Sequence, residues 1–206
     1  MGGPWVPLLM YAGDVAERRG ATVHRHSWTA DPPDPFEPGV EAWVHGQVIP
    51  QLDTLTGTPL LIGKSLGTNC ASLAADRALP AVWLTPVLTM PWVAAGLERA
   101  TAPFLLVGGT ADKIWDGALA RRLSPHVLEV EGADHGMYVP GPLTDSIAVL
   151  GRVVTAVEEF VDAIGWPSRS AAPVLTSGGS APGGAVGGLG AAEADQDRDG
   201  DGGRQQ

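Results

Sequence analysis

The sequence predicts an α/β fold, an open and mostly parallel sheet with helices on both faces. Two observations carry this. Short apolar runs of strand length alternate, through the first 166 residues, with segments of about 10–15 residues whose apolar positions recur at helical spacing. One of the runs, Pro59–Gly63, is suited to a strand covered on both faces. Strands joined through helices require right-handed crossovers and lie parallel, so reactive groups are expected on loops leaving the C-terminal strand ends.

The elements follow in order. Pro7 to Arg19 reads as a helix with apolar Leu8, Leu9, Ala12, Val15 and Ala16, stopped by Gly20. Ala21–Trp28 is strand-like, and a Pro-rich loop precedes a helix from Pro38 to about Leu55. After the Pro59–Gly63 strand come a helix Leu66–Ala78, a strand Ala81–Val87 and a helix Pro91–Ala100. A strand Pro103–Val107, a helix Asp116–Leu123 and a strand Val127–Val130 follow, and a long helix Leu143–Ile164 closes the domain. Composition changes after Trp166-Pro167. Residues 167–206 hold many glycines, few large apolar side chains and no periodicity, which predicts a disordered Gly-rich acidic tail behind a domain of residues 1–166.

Charge and cysteine usage exclude several classes. The chain carries 23 acidic against 13 basic residues, a net charge of −10, with no Lys/Arg cluster to displace counterions from a phosphate backbone. Nucleic acid is therefore not an expected partner. Cys70 is the only cysteine, so neither an intrachain disulfide nor a cysteine-based zinc site can form. The first basic residue is Arg18, unlike the charged start of a signal peptide, and no apolar run reaches the ~18 residues of a membrane span. The expectation is a cytoplasmic protein without a membrane partner.

The chemistry concentrates at three strand ends. Gly63-Lys64-Ser65-Leu66-Gly67 is a G-x-S-x-G pattern between a buried strand and a helix. Glycines relieve crowding in a sharp turn that pushes the Ser65 hydroxyl out over the sheet, toward the positive end of the following helix. The embedded Gly-Lys-Ser is not a phosphate-binding loop, because Thr58 stands where that motif needs its first glycine. A hydroxyl needs a base within reach. Of the five histidines, His135 sits between glycines immediately after the last strand. His24 and His26, two apart, share one strand face with no third metal ligand and read as an exposed face; His45 reads as a helix surface residue. The imidazole in turn needs an acceptor, and Asp112 follows the previous strand in Gly108-Gly-Thr-Ala-Asp112. Asp116 is better read as a helix N-cap, and Asp134 would point away from its neighbour His135. The acidic run Asp195–Gly200 opens like a calcium loop, but Gln206 stands where the bidentate Glu is required.

Ser65, Asp112 and His135 in this order, in Gly63-Lys-Ser-Leu-Gly-Thr68, Gly109-Thr-Ala-Asp112 and Ala133-Asp-His135-Gly-Met137, resemble the α/β-hydrolase family. The similarity is to its small, lidless bacterial members related to the dienelactone-hydrolase-like branch, except that the nucleophile there is typically Cys. It covers roughly residues 7–165. The resemblance implies a Ser-His-Asp serine hydrolase of esterase type acting on a small ester or related acyl substrate, with Leu66 N–H binding the oxyanion. It implies no metal or organic cofactor. Trp83, Trp115 and Met137, with Trp92 and Tyr138, fall near the C-terminal strand ends and are candidates for substrate binding, an ordinary core role being the alternative. Oligomeric state is left open.

One part of the family's plan is missing. Its sheet has an interior strand between the counterparts of Ala21–Trp28 and Pro59–Gly63, and the loop after that strand supplies a second oxyanion donor. Residues 1–6 cannot provide both. The expectation is a chain that starts one strand late, with Ala21–Trp28 lying directly beside Pro59–Gly63 or packing poorly. The rival reading is a non-catalytic binding or scaffold protein of the same fold with an incomplete oxyanion hole.

Overall fold

A computed structural model describes residues 3–37, 39–167 and 174–177. The elements are α1 (Pro7–Glu17), β1 (Val23–His26), α2 (Val40–Leu52), β2 (Leu60–Lys64), a 3₁₀ segment Ser65–Cys70, α3 (Ala71–Asp76) and β3 (Ala81–Leu84). They continue with α4 (Pro91–Glu98), β4 (Phe104–Gly109), α5 (Gly117–Leu123), β5 (His126–Val130), α6 (Leu143–Ala163) and β6 (Val174–Ser177). Among the described residues the sheet has six strands, all parallel, in the order β1-β6-β2-β3-β4-β5.

Side chains of β2, β3 and β4 alternate strictly between the two faces, as the two-residue strand period requires. Leu60, Ile62, Val82, Leu84, Leu105 and Val107 face α1 and α6, where they meet Leu9, Ala12, Val153 and Phe160. Leu61, Ala81, Trp83, Phe104 and Leu106 face the other layer, built from α2, α3, α4 and α5. The buried strands β2, β3 and β4 are the apolar runs of the sequence, and each one is covered on both faces. Pro7 and Pro91 begin α1 and α4, where a missing N–H costs nothing. Asp116 caps α5, its side chain accepting the Leu119 N–H at 2.8 Å. Among the described residues, no helix is long and apolar enough to cross a membrane.

Two local expectations change. The single helix expected over Leu66–Ala78 is divided, with a 3₁₀ segment before α3. Thr68 Oγ1 donates to the Ser65 carbonyl at 2.7 Å and Asn69 Nδ2 donates to that of Leu66 at 2.9 Å. These three-residue side-chain bonds hold the carbonyls in the tighter turn. His26 is not on an exposed face. It is 1% exposed under α2, with Gln51 Nε2 2.8 Å from its Nδ1, and burial lowers its pKa. His45 is half-buried, its Nε2 3.0 Å from the Asn69 carbonyl.

The larger correction concerns the interior strand. β1 does not lie against β2; β6 separates them and pairs with both, Val23 and Leu60 with Val174, His26 and Gly63 with Ser177. Four residues of the segment read as tail therefore sit in the sheet interior. The reading weighed the glycine content of all forty residues together, whereas an interior strand needs only a short run such as Val174-Leu-Thr-Ser177, which Pro173 and Gly178-Gly179 bound. Residues 168–173 and 178–206, with the rest of that tail and the calcium-loop run, lie outside the described residues.

Candidate active site

β2 runs extended to Lys64, and the backbone then reverses at Ser65, whose φ is 50°. A side-chain-bearing residue in this left-handed region is strained by about 1–3 kcal/mol, so its surroundings must hold it there. The bonds from Thr68 and Asn69 do so on one side, and Trp92 Nε1 donates to Asn69 Oδ1 at 2.7 Å to fix that amide. On the other side Gly63 is required. A Cβ there would stand 2.7 Å from the Trp83 ring and 2.9 Å from the Gly67 carbonyl oxygen. The first N–H groups of the 3₁₀ segment, Leu66 among them, have no partner earlier in the segment.

Asp112 and His135 arrive on loops after β4 and β5, and the glycines before Asp112 let those loops touch. A Cβ on Gly109 would overlap the carbonyl of Ala133, and one on Gly108 would overlap the Trp115 ring. Ala111 N–H donates to that Ala133 carbonyl at 3.0 Å, and Gly132 N–H donates to Thr110 Oγ1 at 2.7 Å. Asp134, adjacent to His135, turns its carboxylate back into its own loop, where Oδ1 accepts from Gly136 N–H at 2.8 Å and Tyr138 N–H at 2.9 Å. This folds residues 134–138 into a tight loop that presents the imidazole.

The structure brings three of the sequence candidates into contact. His135 Nε2 is 2.8 Å from Ser65 Oγ, and His135 Nδ1 is 2.7 Å from Asp112 Oδ2. Asp112 is 7% exposed, and its other oxygen accepts the Ile114 N–H at 3.1 Å, which fixes the carboxylate plane. The tautomer that satisfies both contacts carries its proton on Nδ1 and leaves Nε2 to accept from the serine hydroxyl. Cys70, one turn beyond Ser65, offers no competing nucleophile. It is buried, and burial pushes its thiol up to about 12.

The three pocket candidates part company. Trp83 is 1% exposed and packs beneath Gly63, so it belongs to the core and cannot meet substrate. Trp115 is half-buried over Gly108, with its indole N–H donating to Glu129 Oε2 at 2.7 Å. Met137 is buried but lines a cavity of about 440 Å³ at the N-terminal ends of α1 and α6, along with Leu8, Tyr138, Leu143, Ile147 and Lys64. Lys64 was not singled out from the sequence. Its ammonium donates to the His135 carbonyl oxygen at 3.3 Å, and burial lowers its pKa against the opposing pull of Asp112 and Asp134. Only its place as the variable residue of the serine pattern could have drawn attention to it.

No family model matches the chain, and no curated protein matches it. Solved structures do. An alpha-beta serine hydrolase homologue from Coxiella burnetii is similar at TM-score 0.54 and 17% identity, over 75% of this chain and 77% of that one. Est1E from Butyrivibrio proteoclasticus, with ferulic acid bound, gives TM-score 0.55 at 14% identity over 79% and 84%. Alpha/beta hydrolase domain-containing protein 10 from mouse gives 0.53 at 14% over 79% and 86%. At these identities the likeness shows the fold, which is α/β-hydrolase-like.

Proposed function

We propose that this chain is a serine hydrolase of esterase type acting on a small ester or related acyl substrate. The observation that carries the reading is the unbroken line from Ser65 Oγ through His135 to Asp112, at 2.8 and 2.7 Å, on a serine with φ 50°. Strain of this kind persists where the surroundings over-determine it, and it aims the hydroxyl away from the sheet. The esterases and serine hydrolase homologue among the similar folds support the reading by analogy, as does the resemblance to the small lidless branch.

In this mechanism His135 Nε2 takes the hydroxyl proton as Ser65 Oγ bonds to the substrate carbonyl carbon. The carbonyl electron pair moves onto oxygen, which Leu66 N–H stabilises. Asp112 holds the imidazole in its tautomer and stabilises the imidazolium. As the carbonyl re-forms, the bond to the leaving oxygen breaks, and His135 delivers its proton to that alcohol. Water then repeats the sequence against the acyl-serine, its proton passing through His135 back to Ser65. The mostly apolar cavity beside Met137 and Tyr138 is suited to the acyl group.

Hydrolysis of p-nitrophenyl acetate by the purified chain, beside Ser65→Ala, tests this. Turnover by the wild type and its loss in a variant with unchanged far-UV circular dichroism are expected. Equal turnover in both would reject Ser65 as the nucleophile, and no turnover by the wild type would favour a binding or scaffold role.

A further inference from the structure

We infer that Lys64 selects the substrate: its ammonium receives a carboxylate carried by the acyl group, so that the ester cleaved is a half-ester of a dicarboxylic acid. The inference rests on the serine-hydrolase reading and names the substrate class of that site. The cavity of about 440 Å³ adjoins the triad, since Lys64 precedes Ser65, Gly136 follows His135, and both line it. Leu8, Met137 and Leu150 give it apolar walls, and its further lining residues Tyr138, Leu143 and Ile147 are exposed. Ser146 Oγ accepts the Val139 N–H at 3.1 Å and is used within the chain. Among the described residues that line the cavity, Lys64 alone is charged.

That charge lacks a counter-charge in direct contact. Lys64 is half-buried and forms no ion pair among the described residues. It donates to the His135 carbonyl oxygen at 3.3 Å, a neutral acceptor, and an ammonium has three N–H groups to place. The two carboxylates whose charge acts on it are committed elsewhere. Asp112 accepts from Ile114 N–H and contacts His135 Nδ1, and Asp134 accepts from the N–H groups of Gly136 and Tyr138. Burial lowers the Lys64 pKa even against their pull, as expected of an ammonium short of counter-charge. An acyl chain entering the cavity strips water from this group. A plain hydrocarbon chain offers it nothing in return, and the stranded charge weakens binding. A chain that ends in a carboxylate supplies a charge-assisted partner while its methylenes lie on the apolar walls. The reaction steps are unchanged: the acyl-serine carries the second carboxylate, and water releases the dicarboxylate.

The test uses the full chain and matched pairs of esters. The p-nitrophenyl half-esters of glutaric and adipic acid are compared with p-nitrophenyl valerate and hexanoate, each pair equal in chain length and differing in a terminal carboxylate or methyl. In the better-fitting pair kcat/KM should favour the half-ester by about ten- to a hundredfold, the range of a hydrogen-bonded charge. Lys64→Met should abolish that preference. Any loss of turnover common to both esters, from a loosened His135 loop, cancels in the ratio. Lys64→Gln keeps a donor for the His135 carbonyl without the charge, and it should abolish the preference too. No preference in either pair, or a preference that survives in both variants, would overturn the inference. If the wild type turns over none of these esters, the esterase reading fails. Calorimetric titration of monomethyl adipate against methyl hexanoate then still decides the role of Lys64: tighter binding of the adipate, lost in Lys64→Gln, is expected, and equal binding would overturn it.

Discussion

The ammonium of Lys64 donates to the carbonyl oxygen of His135 at 3.3 Å, so the residue before the serine holds the loop that carries the imidazole. β2 and the β5 loop are separated by two strands, and this bond ties them together at the site. Lys64→Met keeps the stem and removes the donor. Because misplacing a catalytic group by about 1 Å costs on the order of 10²-fold, kcat should fall between ten- and a hundredfold with KM changing less. Steady-state kinetics on a p-nitrophenyl ester checks this, and unchanged kcat would show that the loop stands without Lys64.

Gly63 should tolerate no side chain. Its added Cβ would stand 2.7 Å from the Trp83 ring, which is fixed in the core, and 2.9 Å from the Gly67 carbonyl, which is backbone. Overpacking of this kind costs about 1–3 kcal/mol. Gly63→Ala should lower the melting temperature by several degrees, at about 2–4 °C per kcal/mol for a chain of this size. It should also reduce turnover, since relief requires the Ser65 turn to shift. Calorimetry and kinetics on one preparation read both.

Truncation after Trp166 should unfold the domain. It removes β6, which pairs on both edges with β1 and β2. Backbone groups of those strands would be left without partners, at about 1–3 kcal/mol for each one that stays buried. A few such losses exhaust a typical stability of about 5–15 kcal/mol. Circular dichroism of residues 1–166 should show no cooperative melt, and a melt like that of the full chain would contradict the sheet order.

His26 makes stability depend on pH. Burial lowers its pKa below the ordinary 6.5, the Gln51 contact opposing this only in part. Above about pH 6.5 the ring is neutral in both folded and unfolded chains, and its contribution is fully present. As pH falls below that value the unfolded chain binds the proton first, so stability is lost until the lower folded pKa is passed. Melting temperatures between pH 8 and pH 5 should drop less steeply in His26→Leu than in the wild type.

Much of this was legible in the sequence, and for identifiable reasons. Leu60, Leu61 and Ile62 are buried on both faces, and a short apolar run between turn signals can hardly be anything else in a domain with this alternation. Ser65, Asp112 and His135 were singled out because each follows a parallel strand in a glycine-containing loop, and strand ends of one parallel sheet converge. β6 was hidden for the opposite reason. Its four residues lie in a Gly-rich stretch, and their partners, β1 and β2, are more than a hundred residues away along the chain. Window composition carries no information about such pairing. The burial of His26 was hidden likewise, because α2 covers β1 from elsewhere in the sequence.

The measurement that bears most directly on the proposed function is reaction with a fluorophosphonate, which bonds covalently to an activated serine and ignores an ordinary one. The native chain should gain the mass of one adduct, and peptide mapping should place it on Ser65. Labelling should disappear in Ser65→Ala and fall by orders of magnitude in His135→Ala, which lacks the base 2.8 Å from Ser65 Oγ. No adduct on the folded wild-type protein, or an adduct on another serine with Ser65 unmodified, would contradict the account.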